Sequence, residues 1–402
     1  AGLEQALASV GNLAFDDRAL DVLEDLDVSE TALAFLEDFD FSGEVRAVPE
    51  GTVVFPNEPI LEVTAPIAEA QLFETVFINQ IAFQSLIATK AARMRDVVER
   101  MGNGQTLVDF GSRRAHGTDA GIKAARAALI GGFDGTSNVA AGEAFDVPLY
   151  GTMAHSWIQS FPTERDAFEA FVDVFGEDAV LLVDTYDTIG GVETATAVAE
   201  EAGVDVAGVR LDSGDLASLS KAVAPMVGAM DVFVSSGVDE YMLESFFRND
   251  GVADGFGPGT ALVTSADAPK LEAVYKLVAV EGPDGDLEPT MKLSTGKTTH
   301  PGQKSVRRLV SDAGTFEGDV LGVRGEDGPG VPLLETVLEH GELVVDHPSL
   351  LTSRERRAEQ IDSLPKPVRR IRGPAEYPVE VSEALSETTD SLGDALAGRY
   401  GR

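Results

Sequence analysis

"AVLLVDTYDT" (179–188), "IGGVETATAVAEEAG" (189–203) and "VAGVRLDSGD" (206–215) follow one another in the middle of the chain. The first and third stretches are short apolar runs that end in polar residues, which is typical of buried strands. The stretch between them has the length and composition of a helix. A strand, a helix and a second strand in this order form a βα unit with parallel strands, so we expect an α/β fold.

The same rhythm continues on both sides of this stretch. Further apolar runs that end in glycine or polar residues, each followed by a helical segment, are "QTLVDFGSR" (105–113), "GFDGTSN" (132–138), "VPLYGTMAHSW" (147–157), "DVFVSSG" (231–237) and "GVADGFGPGT" (251–260). Seven such units predict a parallel sheet covered by helices. We expect the sheet to close into a barrel, because barrels carry their chemistry at the polar carboxyl ends of the strands.

The flanking segments differ from this pattern. Before residue 105 we predict helices over 13–26 and 29–39, antiparallel strands over 41–67 with turns at "PEG" and "PNEP", and a long helix over 68–102. After residue 270 we predict a hairpin that turns at "PDGD", and helices from 350 onward with proline-rich joints at 364–380. These segments predict an α+β domain built from both chain ends. Its parts are 1–104 and 269–402, around a barrel-like catalytic domain over 105–268.

Composition restricts the class of protein. The chain has 402 residues, 44% of them hydrophobic, and no cysteine. The missing cysteines exclude disulfides, thiol catalysis and thiolate metal sites. We find no signal peptide and no apolar run near the roughly 20 residues that a membrane span needs. We therefore expect a soluble, cytoplasmic protein without a membrane partner.

Acidic residues dominate the charge. Asp and Glu number 68 against 31 Lys and Arg, giving a formal net charge of -37. The acids are spread along helices, as on a surface that stays hydrated in concentrated salt. We interpret the chain as halophilic, and such a surface repels nucleic acid.

This charge predicts a strong dependence of stability on salt. Repulsion among the -37 charges should loosen the fold in dilute buffer, where the Debye length reaches about 30 Å near 0.01 M. We expect the melting temperature to rise steeply with KCl into the molar range. Thermal scans across a KCl series measure this, and equal melting temperatures in dilute buffer and molar KCl would contradict the halophilic interpretation.

Basic residues are concentrated in one region. Of nine lysines, five lie within 270–304, namely Lys270, Lys276, Lys292, Lys297 and Lys304, and Arg307 and Arg308 follow. One interpretation is a surface face held by ion pairs. The other is a site for a polyanion such as phosphate, which we favour because lysine is scarce elsewhere in the chain.

The predicted strand ends collect residues suited to a phosphorylated sugar. Asp184 and Asp212 can accept hydrogen bonds from ribose hydroxyls or bind Mg²⁺. The turns at "SSGVD", with Ser236 and Gly237, and at "FGPGT", with Gly259 and Thr260, can bind a phosphate through backbone N–H groups. A single Gly-x-Gly turn is more often a structural turn that binds no phosphate.

Nine motifs in order resemble the nicotinate phosphoribosyltransferase family. They are "ATKAAR", "DFGSRRAHG", "GFDGTSN", "GTMAHSW", "VRLDSGD", "SSGVDE", "FGPGT", "YKLV" and "KTTHPGQK". The resemblance implies a type II phosphoribosyltransferase, with a barrel-like α/β domain and a second domain from both chain ends, active as a homodimer with shared active sites. The implied reaction joins nicotinate to phosphoribosyl pyrophosphate, giving nicotinate mononucleotide and pyrophosphate in NAD salvage, with Mg²⁺ and with ATP as co-substrate.

The resemblance also implies roles for particular residues. The family's histidine in "GTMAH" is phosphorylated by ATP, which would be His155; the alternative for His155 is a packed histidine beside Trp157. Phe110 resembles the residue that stacks on nicotinate, Arg210 resembles the partner of its carboxylate, and Arg113 is a second cation nearby. Asp212 would hold the ribose hydroxyls, and Lys292, Lys297 and Lys304 would bind phosphate across the dimer interface. The metal ligands stay unassigned.

Two positions of the resemblance bear on specificity and assembly. Ser137 stands where nicotinamide-using relatives carry an aspartate; its alternative role is to cap the helix that follows it. The family usually has a segment ahead of "GLEQAL" with an aromatic residue that reaches a neighbouring active site. The given sequence starts at Ala1, so that segment is either absent or outside it.

Rival functions remain at this stage. A nicotinamide or quinolinate phosphoribosyltransferase has the same fold, but quinolinate transfer needs no ATP and hence no such histidine. An isomerase or aldolase barrel normally shows a catalytic lysine or glutamate at a strand end, and we find neither. A non-catalytic scaffold would not need His155, Arg210 and Asp212.

Overall fold

Helices and strands alternate along the chain in the computed structural model, which describes residues 1–292 and 299–400. Numbered in chain order, the helices are α1 Leu3–Asn12, α2 Asp17–Glu24, α3 Glu30–Glu37, α4 Ile67–Leu72, α5 Glu74–Met101, α6 Thr118–Ile130, α7 Val139–Phe145, α8 His155–Gln159, α9 Glu164–Phe175, α10 Thr188–Ala202, α11 Leu216–Val223, α12 Glu240–Arg248, α13 Thr260–Thr264, α14 Leu350–Ser363 and α15 Glu383–Tyr400. The strands are β1 Glu44–Ala47, β2 Leu61–Thr64, β3 Thr106–Asp109, β4 Gly135–Thr136, β5 Val180–Leu182, β6 Gly208–Leu211, β7 Asp231–Ser235, β8 Gly255–Gly257, β9 Ala279–Glu281, β10 Leu287–Pro289, β11 Lys304–Val310, β12 Phe316–Val323, β13 Val331–Pro332, β14 Glu335–Glu339, β15 Glu342–Leu343 and β16 Val379–Val381.

Contacts divide the chain into two compact units. The barrel unit is Gln84–Leu271, and the terminal unit joins Ala1–Phe83 to Glu272–Arg402. Each unit has its own sheets. Among the described residues, no helix is both long and apolar enough to cross a membrane.

Six parallel strands form the sheet of the barrel unit, in the order β4-β3-β8-β7-β6-β5. Their apolar side chains are buried because helices cover the sheet, a pattern typical of parallel strands. The fully buried strand residues are Leu107, Val108, Leu181, Leu182, Val209, Leu211, Val234 and Phe256. Since all six strands run the same way, their carboxyl ends lie at one edge of the sheet, which we call the rim.

The seventh predicted strand, at 147–155, is not a regular strand. It makes one parallel bridge, between Thr136 of β4 and Leu149. Pro148 has no N–H to donate to a ladder, which limits the pairing. The hydroxyl of Thr152 then donates to the carbonyl of Val180 in β5 at 3.0 Å. The segment therefore spans the gap between the two edge strands, and the sheet closes in the barrel-like manner that the sequence predicts.

The terminal unit contains mainly antiparallel sheets, one of which joins strands from both chain ends. Among its described residues, one sheet has the order β15-β14-β1-β2 and another the order β13-β11-β12-β16, and β9 pairs with β10. β1 pairs with β14 in an antiparallel ladder, with Val45 opposite Leu338, and β12 pairs with β16 in parallel. The predicted hairpin at "PDGD" is confirmed, with Leu287 opposite Glu281.

The predicted strands at 41–67 are confirmed at their two ends only. β1 precedes the turn at "PEG", β2 follows the turn at "PNEP", and the two pair directly, with Val45 opposite Val63. The residues between the turns make other contacts. The backbone N–H of Val53 donates to Gln360 Oε1 at 3.3 Å, and its carbonyl accepts from Arg308 Nη2 at 2.9 Å.

Arg308 does not belong to a phosphate-binding stretch, contrary to the prediction. Its side chain is 2% exposed and pairs with Asp319 through two bonds, at 2.9 Å from Nε and 2.6 Å from Nη2. The guanidinium also lies 4.6 Å from the ring centroid of Phe316. A buried cation that is paired in this way has no charge left for a ligand, and removing either partner would leave the other charge buried and unpaired.

Candidate active site

The rim of the barrel unit carries most of the residues predicted to bind substrate. Following the strands along the chain, they are Phe110 and Arg113 after β3, Ser137 after β4, His155 at the start of α8, Asp184 after β5, Arg210 and Asp212 at the end of β6, Ser236 and Gly237 after β7, and Gly259 and Thr260 after β8. Lys292 and Lys304 belong to the terminal unit, and Lys297 lies outside the described residues.

Asp212 contacts two of the other residues predicted for the site. Its Oδ1 accepts a hydrogen bond from Arg210 Nη2 at 2.7 Å, and its Oδ2 lies 3.6 Å from His155 Nε2. One carboxylate therefore contacts both the guanidinium and the imidazole. Burial alone would raise the pKa of this carboxyl, but hydrogen bonds from Ser235 and Arg210, with the charge of Arg210, lower it below its usual value. Asp212 is thus ionised at neutral pH.

His155 has a polar neighbour at each ring nitrogen and still reaches solvent. Nδ1 lies 3.1 Å from the hydroxyl of Thr185, opposite the side that faces Asp212. The side chain is 40% exposed, so the alternative of a histidine packed beside Trp157 does not describe it. An imidazole that points Nε2–H at a carboxylate keeps its lone pair on Nδ1.

Asp184 occupies the end of the neighbouring strand. Its Oδ2 accepts the backbone N–H of Asp212 at 2.8 Å and the hydroxyl of Ser213 at 2.6 Å. Its Oδ1 is buried and has no hydrogen-bond partner in the described part of the chain. An unpaired buried carboxylate oxygen is costly, so this atom is available to a ligand.

Phe110 and Arg210 form the wall of a candidate base pocket. The guanidinium carbon lies 5.3 Å from the centroid of the Phe110 ring, within the range of a cation–π contact. Gly257 supports the ring from behind, since a Cβ at this position would lie 2.4 Å from Phe110 Cδ2. The third residue predicted for this pocket, Arg113, is exposed in a 3₁₀ turn.

Ser137 is not the cap of the helix that follows it. Asn138 caps α7, accepting the N–H of Ala141 at 3.3 Å. The hydroxyl of Ser137 instead donates to the backbone carbonyl of Asp109 at 3.2 Å, and the side chain is exposed. The capping alternative is therefore wrong, and the hydroxyl is left at the surface of the rim.

One of the two turns predicted to bind phosphate has a backbone form that favours anions. Ser236 and Gly237 have successive positive φ values of 75° and 63°. Successive residues of this kind turn their N–H groups toward one side, which favours a bound phosphate. Gly259 directly precedes α13. The φ of Gly259 is negative, so this turn lacks the successive positive φ values of Ser236 and Gly237.

Lys304 makes contacts that the sequence did not predict. Its Nζ donates to the carbonyls of His300 at 3.0 Å and Gly302 at 2.7 Å, and burial lowers its pKa to about 8. Lys292 is exposed. Lys304 therefore holds the 300–302 turn, and a phosphate contact by this residue stays a prediction.

Sequence reasoning assigned no contacts to three side chains that hold the site together. Thr185 orients His155, Ser213 bonds to Asp184, and Ser235 lies between Arg210 and Asp212. All three follow or end a predicted strand, which is the signal that could have found them. Which rim residues touch, however, depends on the strand order β7-β6-β5.

Three family models match the chain. They are described as the nicotinate phosphoribosyltransferase (NAPRTase) N-terminal domain, matching residues 1–82, the NAPRTase family, matching 105–284, and the NAPRTase C-terminal domain, matching 330–389. Together they span more than half of the sequence.

Individual relatives are similar over nearly the whole chain. The chain is 43% identical to a nicotinate phosphoribosyltransferase of Mycobacterium tuberculosis, over 96% of the chain and 83% of the relative. It is 39% identical to that of Bacillus subtilis, over 95% of the chain and 84% of the relative. The crystal structure of human nicotinic acid phosphoribosyltransferase superposes with a TM-score of 0.84 at 28% identity, covering 98% of this chain and 91% of that one. A nicotinate-nucleotide pyrophosphorylase from Pyrococcus furiosus superposes with a TM-score of 0.67 at 25% identity, over 89% and 96%. The predicted fold class is confirmed.

Proposed function

The chain belongs to the nicotinate phosphoribosyltransferase family, and from this membership we propose that it transfers phosphoribosyl from phosphoribosyl pyrophosphate to nicotinate. The products are nicotinate mononucleotide and pyrophosphate, and the reaction serves NAD salvage. We further propose that ATP hydrolysis drives it through a phosphohistidine on His155. The observation that supports this most is the contact of one carboxylate, Asp212, with both His155 and Arg210.

The imidazole of His155 is suited to attack a phosphoryl group. With Nε2–H directed at Asp212, the Nδ1 lone pair is the nucleophile, and the Thr185 hydroxyl points at it in the resting state. Nδ1 would attack the γ-phosphorus of ATP, the bond from that phosphorus to the β–γ bridging oxygen would break, and ADP would leave. Asp212 stabilises the positive charge that the ring gains when the new N–P bond forms.

Nicotinate is an aromatic carboxylate, and the pocket offers a partner for each part. The Phe110 ring can stack on the pyridine, and the Arg210 guanidinium can pair with the carboxylate. The pyridine nitrogen would attack C1 of the ribosyl group, and the bond from C1 to the pyrophosphate oxygen would break. The transition state resembles an oxocarbenium ion, so the main task of the protein is to stabilise the leaving charge.

The residues at the rim are compatible with Mg²⁺. Among residues 1–292 and 299–400, no set of three or more His, Asp or Glu side chains is placed to hold a metal alone. Mg²⁺ usually takes only one or two carboxylates, with waters and substrate phosphates as its other ligands. The unpaired Oδ1 of Asp184 fits that need. Bound there with pyrophosphate, the ion would neutralise the departing charge.

The remaining parts of the proposal concern phosphate binding and assembly. The turn at Ser236 and Gly237 and the start of α13 at Thr260 would bind phosphate through N–H groups. Lys292, Lys297 and Lys304 would contribute charge. We also propose a cytoplasmic homodimer with shared active sites, as the family resemblance implies.

One assay tests the proposed function. Labelled nicotinate, nicotinamide and quinolinate are each incubated with phosphoribosyl pyrophosphate and Mg²⁺, with and without ATP. We expect mononucleotide from nicotinate, with the yield raised by ATP. Efficient use of quinolinate without ATP would show that the enzyme is a quinolinate phosphoribosyltransferase, and a preference for nicotinamide would show that it is a nicotinamide phosphoribosyltransferase. If none of the three bases gave product, transferase activity would be refuted.

A further inference from the structure

The hydroxyl of Ser235 lies between the two charged groups of the site. Ser235 ends β7 and is 1% exposed. Its Oγ accepts a hydrogen bond from Arg210 Nε at 2.7 Å and donates one to Asp212 Oδ1 at 2.5 Å. A serine hydroxyl has one hydrogen and two lone pairs, so it can donate to the carboxylate and accept from the guanidinium at the same time. The Oγ also lies 3.3 Å from the carbonyl of Leu211, and the 2.5 Å contact with Asp212 is the shorter of the two acceptor contacts.

These bonds decide which edge of Arg210 is free. Nε is bonded to Ser235 and Nη2 to Asp212, so the edge that carries these two nitrogens is occupied. Within residues 1–292 and 299–400, the one hydrogen bond of Nη1 is the long contact of 3.4 Å with the carbonyl of Met153. The N–H groups of Nη1 and the second N–H of Nη2 therefore form the edge that a planar carboxylate can bind.

Without the hydroxyl, the guanidinium has a competing arrangement. Nε would lose its acceptor in a buried place, which is costly. Since Asp212 lies beside it, Arg210 could turn and give both Nε and Nη2 to that carboxylate as a two-bond pair. The turn would move Nη1 away from its present direction and change its place beside the Phe110 ring.

We propose that Ser235 is a positioning residue for nicotinate, because its hydroxyl holds Arg210 and Asp212 apart and keeps the outer edge of the guanidinium toward the pocket. The inference rests on the proposed function. Ser235 itself touches no substrate. Its effect falls on the carboxylate-bearing substrate, through the direction in which the Arg210 guanidinium points.

The test compares Ser235→Ala, Ser235→Thr and a matched control. Ser220→Ala is the control, since Ser220 is also fully buried in the barrel unit and makes two hydrogen bonds, to the Ala217 carbonyl and from the Val252 N–H. Initial rates are measured with nicotinate and phosphoribosyl pyrophosphate varied separately, and melting temperatures are recorded. For Ser235→Ala we expect KM for nicotinate to rise at least about tenfold, equivalent to ~1.4 kcal/mol, with kcat and the other KM within about threefold.

The remaining variants separate positioning from stability. Ser235→Thr keeps the hydroxyl and should restore KM for nicotinate, and Ser220→Ala should change only the melting temperature. An unchanged KM for nicotinate in Ser235→Ala, or equal rises in both KM values, would overturn the inference. A parent protein that makes no product from nicotinate would instead refute the proposed function.

A second measurement covers the case in which Ser235→Ala does not fold. In the parent protein, selective ¹⁵Nε labelling of arginine shows the Nε–H resonance of Arg210, assigned by its loss in Arg210→Lys. We expect a resonance protected from exchange that persists when nicotinate is added. If nicotinate abolished that protection, Ser235 would not hold the guanidinium in the complex, and the inference would be wrong.

Discussion

His155→Ala is expected to abolish ATP hydrolysis and to leave at most a weak transferase that no longer responds to ATP. Alanine removes the Nδ1 lone pair, and Asp212 loses the ring that it faces at 3.6 Å. We expect hydrolysis to fall at least about a hundredfold, as is usual when a nucleophile is removed. Phosphate release in the presence of nicotinate and phosphoribosyl pyrophosphate measures this, with product formation followed with and without ATP.

A second histidine provides the control for this experiment. His340 lies in the terminal unit, in the turn between β14 and β15, with a positive φ of 50°. His340→Asn removes an imidazole and keeps a residue that tolerates this conformation, so we expect the parental rate. Hydrolysis at the parental rate in His155→Ala would show that another group accepts the phosphoryl.

Ser137→Asp is expected to shift selectivity from nicotinate toward nicotinamide. An aspartate at the rim would repel the carboxylate of nicotinate, and it could accept a hydrogen bond from the carboxamide of nicotinamide. We expect kcat/KM for nicotinate to fall at least about tenfold, or ~1.4 kcal/mol, and nicotinamide use to rise from its baseline. Competition assays with both labelled bases measure the ratio directly.

Helix α7 keeps its cap in the Ser137→Asp variant. Asn138 caps α7, so changing Ser137 leaves the cap in place. Ser137→Asn has the same shape as the aspartate without its charge, and we expect it to retain most nicotinate use. Unchanged selectivity in Ser137→Asp at an unchanged melting temperature would leave the Ser137 hydroxyl only its bond to the carbonyl of Asp109.

Most of the barrel unit could be predicted from the sequence, because apolar runs followed by polar residues mark parallel strands and their carboxyl ends. This pattern placed Asp184 and Asp212 at one rim. The predicted strand at 147–155 has the same apolar character, yet its one bridge to a described strand is at Leu149. A proline and a glycine within four residues were the sequence signal against a full strand.

The contacts within the site could not be predicted in the same way. That Ser235 bridges Arg210 and Asp212 follows from β7 lying beside β6, which is a property of the closed sheet. For Arg308, the alternation of buried residues along the strand indicated an internal side chain, but the concentration of basic residues in this region led to the prediction of a phosphate contact. In β11, Val306 and Arg308 are two residues apart and lie on the same buried face, so alternation alone marks this arginine as internal.

The assembly of the terminal unit from both chain ends has a consequence for synthesis. Gln84–Leu271 is continuous and can fold as soon as it has left the ribosome, whereas β1 must wait for β14, with Val45 opposite Leu338. At about 5–20 residues per second, that wait is roughly 15–60 s. Phe73 and Phe77 belong to a core cluster that Val337 and Leu338 complete, so that cluster would stay incomplete meanwhile. The nascent N-terminal segment, rather than the completed enzyme, is then the form most exposed to aggregation and most dependent on chaperones.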